Sequence, residues 1–306
     1  MMARFPGIIV TLIPALVGLA GCGTLGDLAE VGTDVAAGSG VISETQADSL
    51  RQSTEAVARS AEDITPEQEY YIGRSVGARI LDRYPPHEDE VANRYLNRLG
   101  QALALYSERP EPFGGYRFQI LETEEINALA TPSGLVFVSR GLLDLADSED
   151  GVAAILAHEI AHIEHLHGLK AIKTSRITAA LTSVAITGTQ FAGNDDLAEL
   201  TATFEDSIDD ITQTLVNSGY SRGAESEADR GAVRILRRAG YDPAALSAVL
   251  EAMDERLEPD GAGFARTHPE PADRIADVRE AIAGHDHAPR AREVRERRYQ
   301  AALGSL

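Results

Sequence analysis

Residues 158–162 read His158-Glu159-Ile160-Ala161-His162 and follow directly on the apolar run Gly151-Val152-Ala153-Ala154-Ile155-Leu156-Ala157. On an α-helix, side chains four positions apart leave the same face, so both imidazoles can grip one metal ion. Glu159 follows one residue on, turned about 100° around the axis, within reach of a water beside that metal. On a helical wheel Val152, Leu156, Ile160 and Ile163 form one apolar stripe, and Ala153, Ala154, Ala157 and Ala161 cover the opposite side. A helix with no polar face is a buried helix. Burying two imidazoles and a carboxylate without partners costs on the order of several kcal/mol, and a bound cation pairs all three. A satisfied pair of core histidines beside a buried glutamate is the weaker reading.

Two histidines leave a hydrolytic zinc ion short of ligands, because such sites have three protein ligands and one water. The segment Ser221-Arg222-Gly223-Ala224-Glu225-Ser226-Glu227-Ala228-Asp229 places three carboxylates on one predicted helix. Glu225 and Asp229 are four apart and share a face, while Glu227 points away at about 200° from Glu225. One of the pair can bind metal, and the other can accept a hydrogen bond from a ligand histidine. A surface helix whose acids answer Arg222 and Arg230 is the alternative when the segment is read alone.

The chain of 306 residues has room for a real core, and 43% of it is hydrophobic. Its formal net charge of −20 argues against binding a phosphate backbone, so no nucleic-acid partner is expected. Met1-Met2-Ala3-Arg4 is a short positive start, Ile8 to Ala20 is apolar, and Leu19-Ala20-Gly21-Cys22 closes the segment. That run suits a secretory signal better than a membrane span. Leu-Ala-Gly-Cys resembles the bacterial lipobox, which implies a lipid anchor on Cys22, the single cysteine of the chain. Gly23 after it favours, by the same resemblance, the outer membrane, with the protein facing the periplasm of the bacterial cell envelope. With one cysteine there is no intramolecular disulfide.

Four parts are expected along the chain: a signal peptide over 1–21, a flexible tether over 22–63, a metallopeptidase-sized domain over 64–284, and a polar C-terminal tail over 285–306 holding His285 and His287. Order begins at Thr65-Pro66-Glu67-Gln68, a capping box with proline in the first turn. Ile72, Val76 and Ile80 recur on the helix that follows, and a second helix carries Val91, Tyr95, Leu99, Leu103 and Tyr106. Strand character appears at Tyr116–Leu121 and Asn127–Ser139, the latter bent into a hairpin by Pro132-Ser133-Gly134. Ile177–Phe191 reads as a helix covering the core and Asp195–Asp210 as a solvated acidic stretch. Helices are expected over Ser221–Ala239, Asp242–Arg256 and Pro271–Ala283. The fold class is therefore α+β, mainly helical, with a small sheet whose edge strand, Leu135–Ser139, precedes the His-Glu helix.

The pattern HExxH followed by Ser-Arg-x-x-Glu-x-x-Ala-Asp resembles the gluzincin zinc metallopeptidases of the HtpX and CAAX-prenyl-protease type, and within them the soluble periplasmic lipoprotein branch. The resemblance covers about Thr65 to Ala283 and includes Asn127-Ala128-Leu129-Ala130-Thr131-Pro132-Ser133-Gly134, Thr267-His268-Pro269 and Arg274-Ile275. It implies a zincin-like fold and one Zn2+ per chain, with His158, His162 and Glu225 as ligands and Glu159 as general base. Asp229 then orients a ligand histidine or serves as a proton donor. It implies hydrolysis of unfolded or misassembled envelope polypeptides, and the outer-membrane assembly machinery as a further partner. Members with a helical repeat domain after the protease are longer than this chain.

His268 or Arg274 is the expected donor to the tetrahedral oxyanion. Three roles are open for His268, which follows the Gly-rich stretch Pro259–Gly263: a latch in the fourth coordination place, an oxyanion donor, or a cap on the helix from Pro271. The competing function is a tethered holdase that binds chains without cleaving them. A structural site has no use for a base such as Glu159 beside an open coordination position.

Overall fold

Thr65 opens the ordered chain as the sequence expects. Its hydroxyl accepts from the Gln68 N–H at 3.3 Å, and the Gln68 side chain accepts from the Thr65 N–H at 2.9 Å. The computed structural model describes residues 64–173, 212, 219–256, 268, 271–283, 291–304 and 306. Cys22, the signal and tether segments, Ile177–Phe191, Asp195–Asp210, the Gly-rich stretch before His268, and His285 and His287 lie outside them.

Helix α1, Pro66–Arg83, is followed by α2, Glu90–Ala104. Three strands come next: β1 Arg117–Leu121, β2 Ala128–Ala130 and β3 Leu135–Ser139. A short helix α3, Arg140–Leu143, leads to α4, Glu149–Glu164, which carries the HExxH motif. The chain continues through α5 Arg222–Ala239, α6 Ala244–Arg256, α7 Pro271–Ile282 and α8 Arg292–Leu303. Among the described residues no helix is long and apolar enough to cross a membrane.

The sheet has the order β1-β3-β2, with β1 parallel and β2 antiparallel to β3. Leu135–Ser139 is thus the central strand and not the edge that its place beside the helix suggested. The reason is the parallel pairing with Arg117–Leu121, a non-local contact that a hairpin pattern cannot reveal. One face of the sheet (Phe118, Ile120, Val136, Val138) packs into the main core with Leu96, Leu103, Leu156 and Leu236. The other (Leu121, Leu129, Phe137) is covered by Ile72, Val76 and Ile80 of α1.

The two edges differ. Beside β1, Asn97 of α2 accepts from the Phe118 N–H at 3.0 Å and Asn93 accepts from the Ile120 N–H at 3.0 Å, so asparagine side chains occupy that edge. Beside β2 the ladder fixes what is left over. The Ser139 N–H donates to the Asn127 carbonyl at 2.9 Å and the Thr131 N–H to the Leu135 carbonyl at 2.8 Å. By the alternation of an antiparallel pair, Ala128 and Ala130 direct their N–H and C=O groups away from β3. The turn after β2 is pressed against α1: a Cβ on Gly73 would stand 1.8 Å from the Pro132 carbonyl oxygen.

On α2 the buried stripe is Ala92, Leu96, Leu99, Gly100 and Leu103, while Val91 and Tyr106 face solvent. The segment expected as a polar tail forms α8 over Arg292–Leu303. Its arginines are docking groups. Arg295 donates to Asp150 at 2.8 Å and to the Gly240 carbonyl at 2.6 Å, and the Arg298 Nε donates to Glu149 at 3.0 Å. Tyr299 donates to the Ala146 carbonyl at 2.6 Å, and Leu303 is buried. Charge alone made the segment look solvated, but its partners lie on the first turn of α4.

Candidate metal centre

Ser148 caps α4 through its hydroxyl, which accepts from the Gly151 N–H at 3.2 Å. From Gly151 to Ile163 every residue is buried, including His158, Glu159 and His162. The neighbour along that burial is α5, capped by Ser221 and ended by Gly240 at φ 80°. Gly231 lets the two helices approach, since a Cβ there would meet the Ala161 Cβ at 2.7 Å. Close approach brings Glu225 and Asp229 to the histidines of α4.

His158, His162, Glu225 and His268 each offer one donor atom, all within 4.8 Å of one another, and all four residues are buried. The His158 and His162 Nε2 atoms are 3.0 Å apart. Glu225 oxygens stand 3.5 Å from His158 Nε2 and 3.4 Å from His162 Nε2. His268 Nδ1 is 2.9 Å from Glu225 and 3.5 Å from His158 Nε2. A tetrahedron with metal–ligand bonds of about 2.05 Å has edges of about 3.3 Å. Three nitrogens and one carboxylate oxygen in that spacing fit zinc and not the all-oxygen cages of calcium or magnesium. Glu159, almost fully buried, has no hydrogen-bond partner for Oε2 among the described residues, and its Oε1 is 3.8 Å from His268 Nε2. Burial pushes the Glu159 carboxyl up from its ordinary range, with His268 and His158 pulling against it.

Behind His158, Asp229 Oδ1 lies 3.0 Å from Nδ1. Arg274 donates to Asp229 through Nε at 2.9 Å and Nη2 at 2.7 Å, and its Nη1 is 3.0 Å from Glu225. Burial alone would raise Asp229, but Arg274 and His158 outweigh it and hold the carboxyl at about 2. The His158 ring is opposed in holding a proton by burial and Arg274, and held up at about 9 by Asp229 and Glu225. Burial pushes His162 well below the ordinary imidazole range. Arg274, read from the sequence as a possible oxyanion donor, is engaged with Asp229 and Glu225. It is buried with its nitrogens turned to the two carboxylates and Nη2 lying 3.4 Å from both ring nitrogens of His158.

Two residues escaped sequence reasoning. His167 Nδ1 is 2.9 Å from His162 Nδ1, and its Nε2 is 3.0 Å from Glu227. Tyr220 stacks on the His162 ring at 4.2 Å between centroids and 22° between planes. Burial raises the Tyr220 phenol, with Glu159 and Glu225 adding to the effect, so it remains a hydrogen-bond donor. Glu227 does point away from Glu225, as its helical position requires, and it is the partner of His167. The separation of five between His162 and His167 hides their contact, because it does not repeat on a helix. Leu166 at φ 57° turns the chain so that residues 167–173, again helical, begin beside α4. Cys22 has no place in this geometry, lying outside the described residues.

Comparison with known proteins agrees with the site. The family model of Peptidase family M48 matches residues 90–282. The putative beta-barrel assembly-enhancing protease of Vibrio cholerae is 32% identical over 224 residues, covering 71% of this chain and 44% of that protein. The beta-barrel assembly-enhancing protease of Escherichia coli K12 is 29% identical over 219 residues, 69% of this chain and 43% of its own length. The metalloprotease LoiP of the same organism is 25% identical over 166 residues, 54% of this chain and 62% of the relative. The matched region thus spans less than half of the beta-barrel assembly-enhancing proteases. With the family model covering well over half of the sequence and the metal-ligand geometry in place, the chain belongs to Peptidase family M48.

Proposed function

We propose that the protein is a zinc metalloendopeptidase of the bacterial cell envelope, anchored through Cys22 and acting on extended segments of misfolded or unassembled proteins. The observation that carries the reading is the buried group His158, His162, Glu225 and His268 with Glu159 beside it, one of whose oxygens has no partner among the described residues. His158, His162 and Glu225 would hold the zinc. When bound, the ion would polarise the scissile carbonyl and acidify a water. Glu159, whose carboxylate is raised by burial, takes the proton from the attacking water and passes it to the leaving amine. Asp229 fixes His158, and Arg274 fixes Asp229.

The edge of β2 supports an extended substrate. Ala128 and Ala130 offer backbone donors and acceptors that read no side chain, which favours loose sequence preference and unfolded chains. A long folded segment could not lie along that strand. His268 stands in the fourth place around the candidate ligands, and from there it shuts out water and substrate, keeping the enzyme latent.

A holdase that cleaves nothing would need no base, and Glu159 is the argument against it. Cleavage of unfolded casein, abolished by a chelator and restored by zinc, tests the reading. Chelator-resistant cleavage, or none by a zinc-loaded protein freed of its His268 latch, would overturn it. The lipid anchor, the outer membrane and any link to assembly machinery rest on the Leu-Ala-Gly-Cys resemblance and on the names of the relatives.

A further inference from the structure

We propose that His167 and Glu227 are a positioning pair that fixes His162 in the one tautomer able to bind zinc. The inference rests on the zinc reading above and extends it to residues outside the ligand group. His167 is buried, with 3% of its surface exposed, and its two ring nitrogens both face partners. Nδ1 is 2.9 Å from His162 Nδ1, and Nε2 is 3.0 Å from Glu227 Oε2.

The proton positions follow from what each group can do. A carboxylate only accepts, so the hydrogen bond to Glu227 requires a proton on His167 Nε2. With one proton on the ring, His167 Nδ1 carries a lone pair and accepts. The contact to His162 then requires the proton on His162 Nδ1, which leaves a lone pair on His162 Nε2. That is the atom 3.0 Å from His158 Nε2 and 3.4 Å from Glu225, where the metal belongs. The opposite tautomer of His162 would aim an N–H at the ion and set two lone pairs against each other at His167. Glu227 therefore dictates, through one intervening imidazole, which nitrogen of His162 is free.

The surroundings hold the pair in place. Tyr220 covers one face of the His162 ring. His165 stacks on His167 at 5.6 Å, and its Nδ1 is 3.4 Å from the other Glu227 oxygen. The left-handed Leu166 is the residue that turns His167 back toward His162. The first ligand has a direct carboxylate, Asp229, and the second has a relayed one.

The test uses the full chain with nitrogen-15 histidine, stripped of metal, and measures imidazole nitrogen shifts and zinc affinity by chelator competition. The expected spectrum has His162 protonated at Nδ1 and His167 protonated at Nε2. His167→Ala should weaken zinc binding about 10- to 100-fold. His167→Gln, whose amide oxygen still accepts from His162, should recover most of that loss. Glu227→Ala, at a partly exposed position, should shift the tautomer balance of His167 and weaken zinc in the same direction, and it keeps the test alive if His167→Ala does not fold. Parental affinity in His167→Ala, no rescue by glutamine, or a proton on His167 Nδ1 in the parent would each overturn the pair. A parent that binds no zinc would overturn the zinc reading, while the tautomers of the metal-free protein would still decide this one.

Discussion

Asp229→Asn removes one charge, and almost no volume, from a place where two groups, Arg274 and His158, depend on it. The carboxyl is 2% exposed, accepts two hydrogen bonds from Arg274 at 2.9 and 2.7 Å, and faces His158 Nδ1 at 3.0 Å. Its folded-state pKa is about 2 against an ordinary 3.8. A depressed carboxylate contributes stability above its unfolded pKa and loses it as pH falls through the folded one. At about 1.4 kcal/mol per unit the shift corresponds to about 2.5 kcal/mol at neutral pH. The amide also turns its NH2 toward a cation or an imidazole and deprives Arg274 of one of its two carboxylates, which moves the cost toward the roughly 3–5 kcal/mol of a broken buried pair. The expected loss for the metal-free protein at pH 7 is therefore about 2–4 kcal/mol, read by urea denaturation. The gap between parent and variant should shrink as pH is lowered from about 4 toward 2, because protonation does to the parent what the substitution did. Adding Arg274→Met should return part of the stability, since it removes a buried cation that has lost one of its carboxylates. Equal stability at pH 7, or a gap that widens in acid, would refute the argument.

Glu159→Gln should keep zinc and fold but lose casein cleavage by at least about 100-fold, because the amide cannot take a proton; metal analysis beside the assay checks both halves. Glu225→Ala should empty the site at zinc concentrations that still fill Glu227→Ala, and greater loss in the second would reverse the assignment of ligand and outer partner. His268→Ala should raise basal proteolysis if the ring is a latch, whereas a fall would make it an oxyanion donor. Arg298→Ala should cost about 1–3 kcal/mol in urea denaturation, because it strips Glu149, buried at the start of α4, of its only cation among the described residues and leaves it the Tyr95 and Tyr241 hydroxyls at 3.2 and 3.0 Å.

What could be read beforehand is what helix periodicity fixes. His158 and His162, and Glu225 and Asp229, are pairs separated by four, so their common faces follow from 3.6 residues per turn once each helix is recognised. The capping box at Thr65 and the glycine stop at Gly240 are equally local. Sequence patterns failed where a turn or a long-range pairing decides. His167 is five residues from His162, and only the left-handed Leu166 brings them together. Leu135–Ser139 was an edge until Arg117–Leu121 paired with it in parallel. Arg274 carried a plausible positive charge for an oxyanion, but its partners, Asp229 and Glu225, lie more than forty residues away and claim it first.

The helix at Arg292–Leu303, in a segment read as a polar tail, was missed for the same reason and with a larger consequence. A segment rich in arginine and glutamate looks solvated unless the acids it will meet are known. Those acids are Glu149 and Asp150, in the first turn of the helix that carries the HExxH motif, and Arg295 also reaches the carbonyl of Gly240 that ends α5. Helix α8 therefore ties the start of α4 to the end of α5. At the other end of α4, Glu164 is paired with Arg234 of α5 and accepts from the Glu108 N–H at 2.8 Å. On α4, Ala161, which meets Gly231 of α5, lies between these two ties. A metal site built from two helices tolerates errors of only a few tenths of an ångström in ligand position. The spacing of the motifs supplies the ligands, while both ends of α4, the helix that carries the HExxH motif, are tied down by residues far from it in sequence.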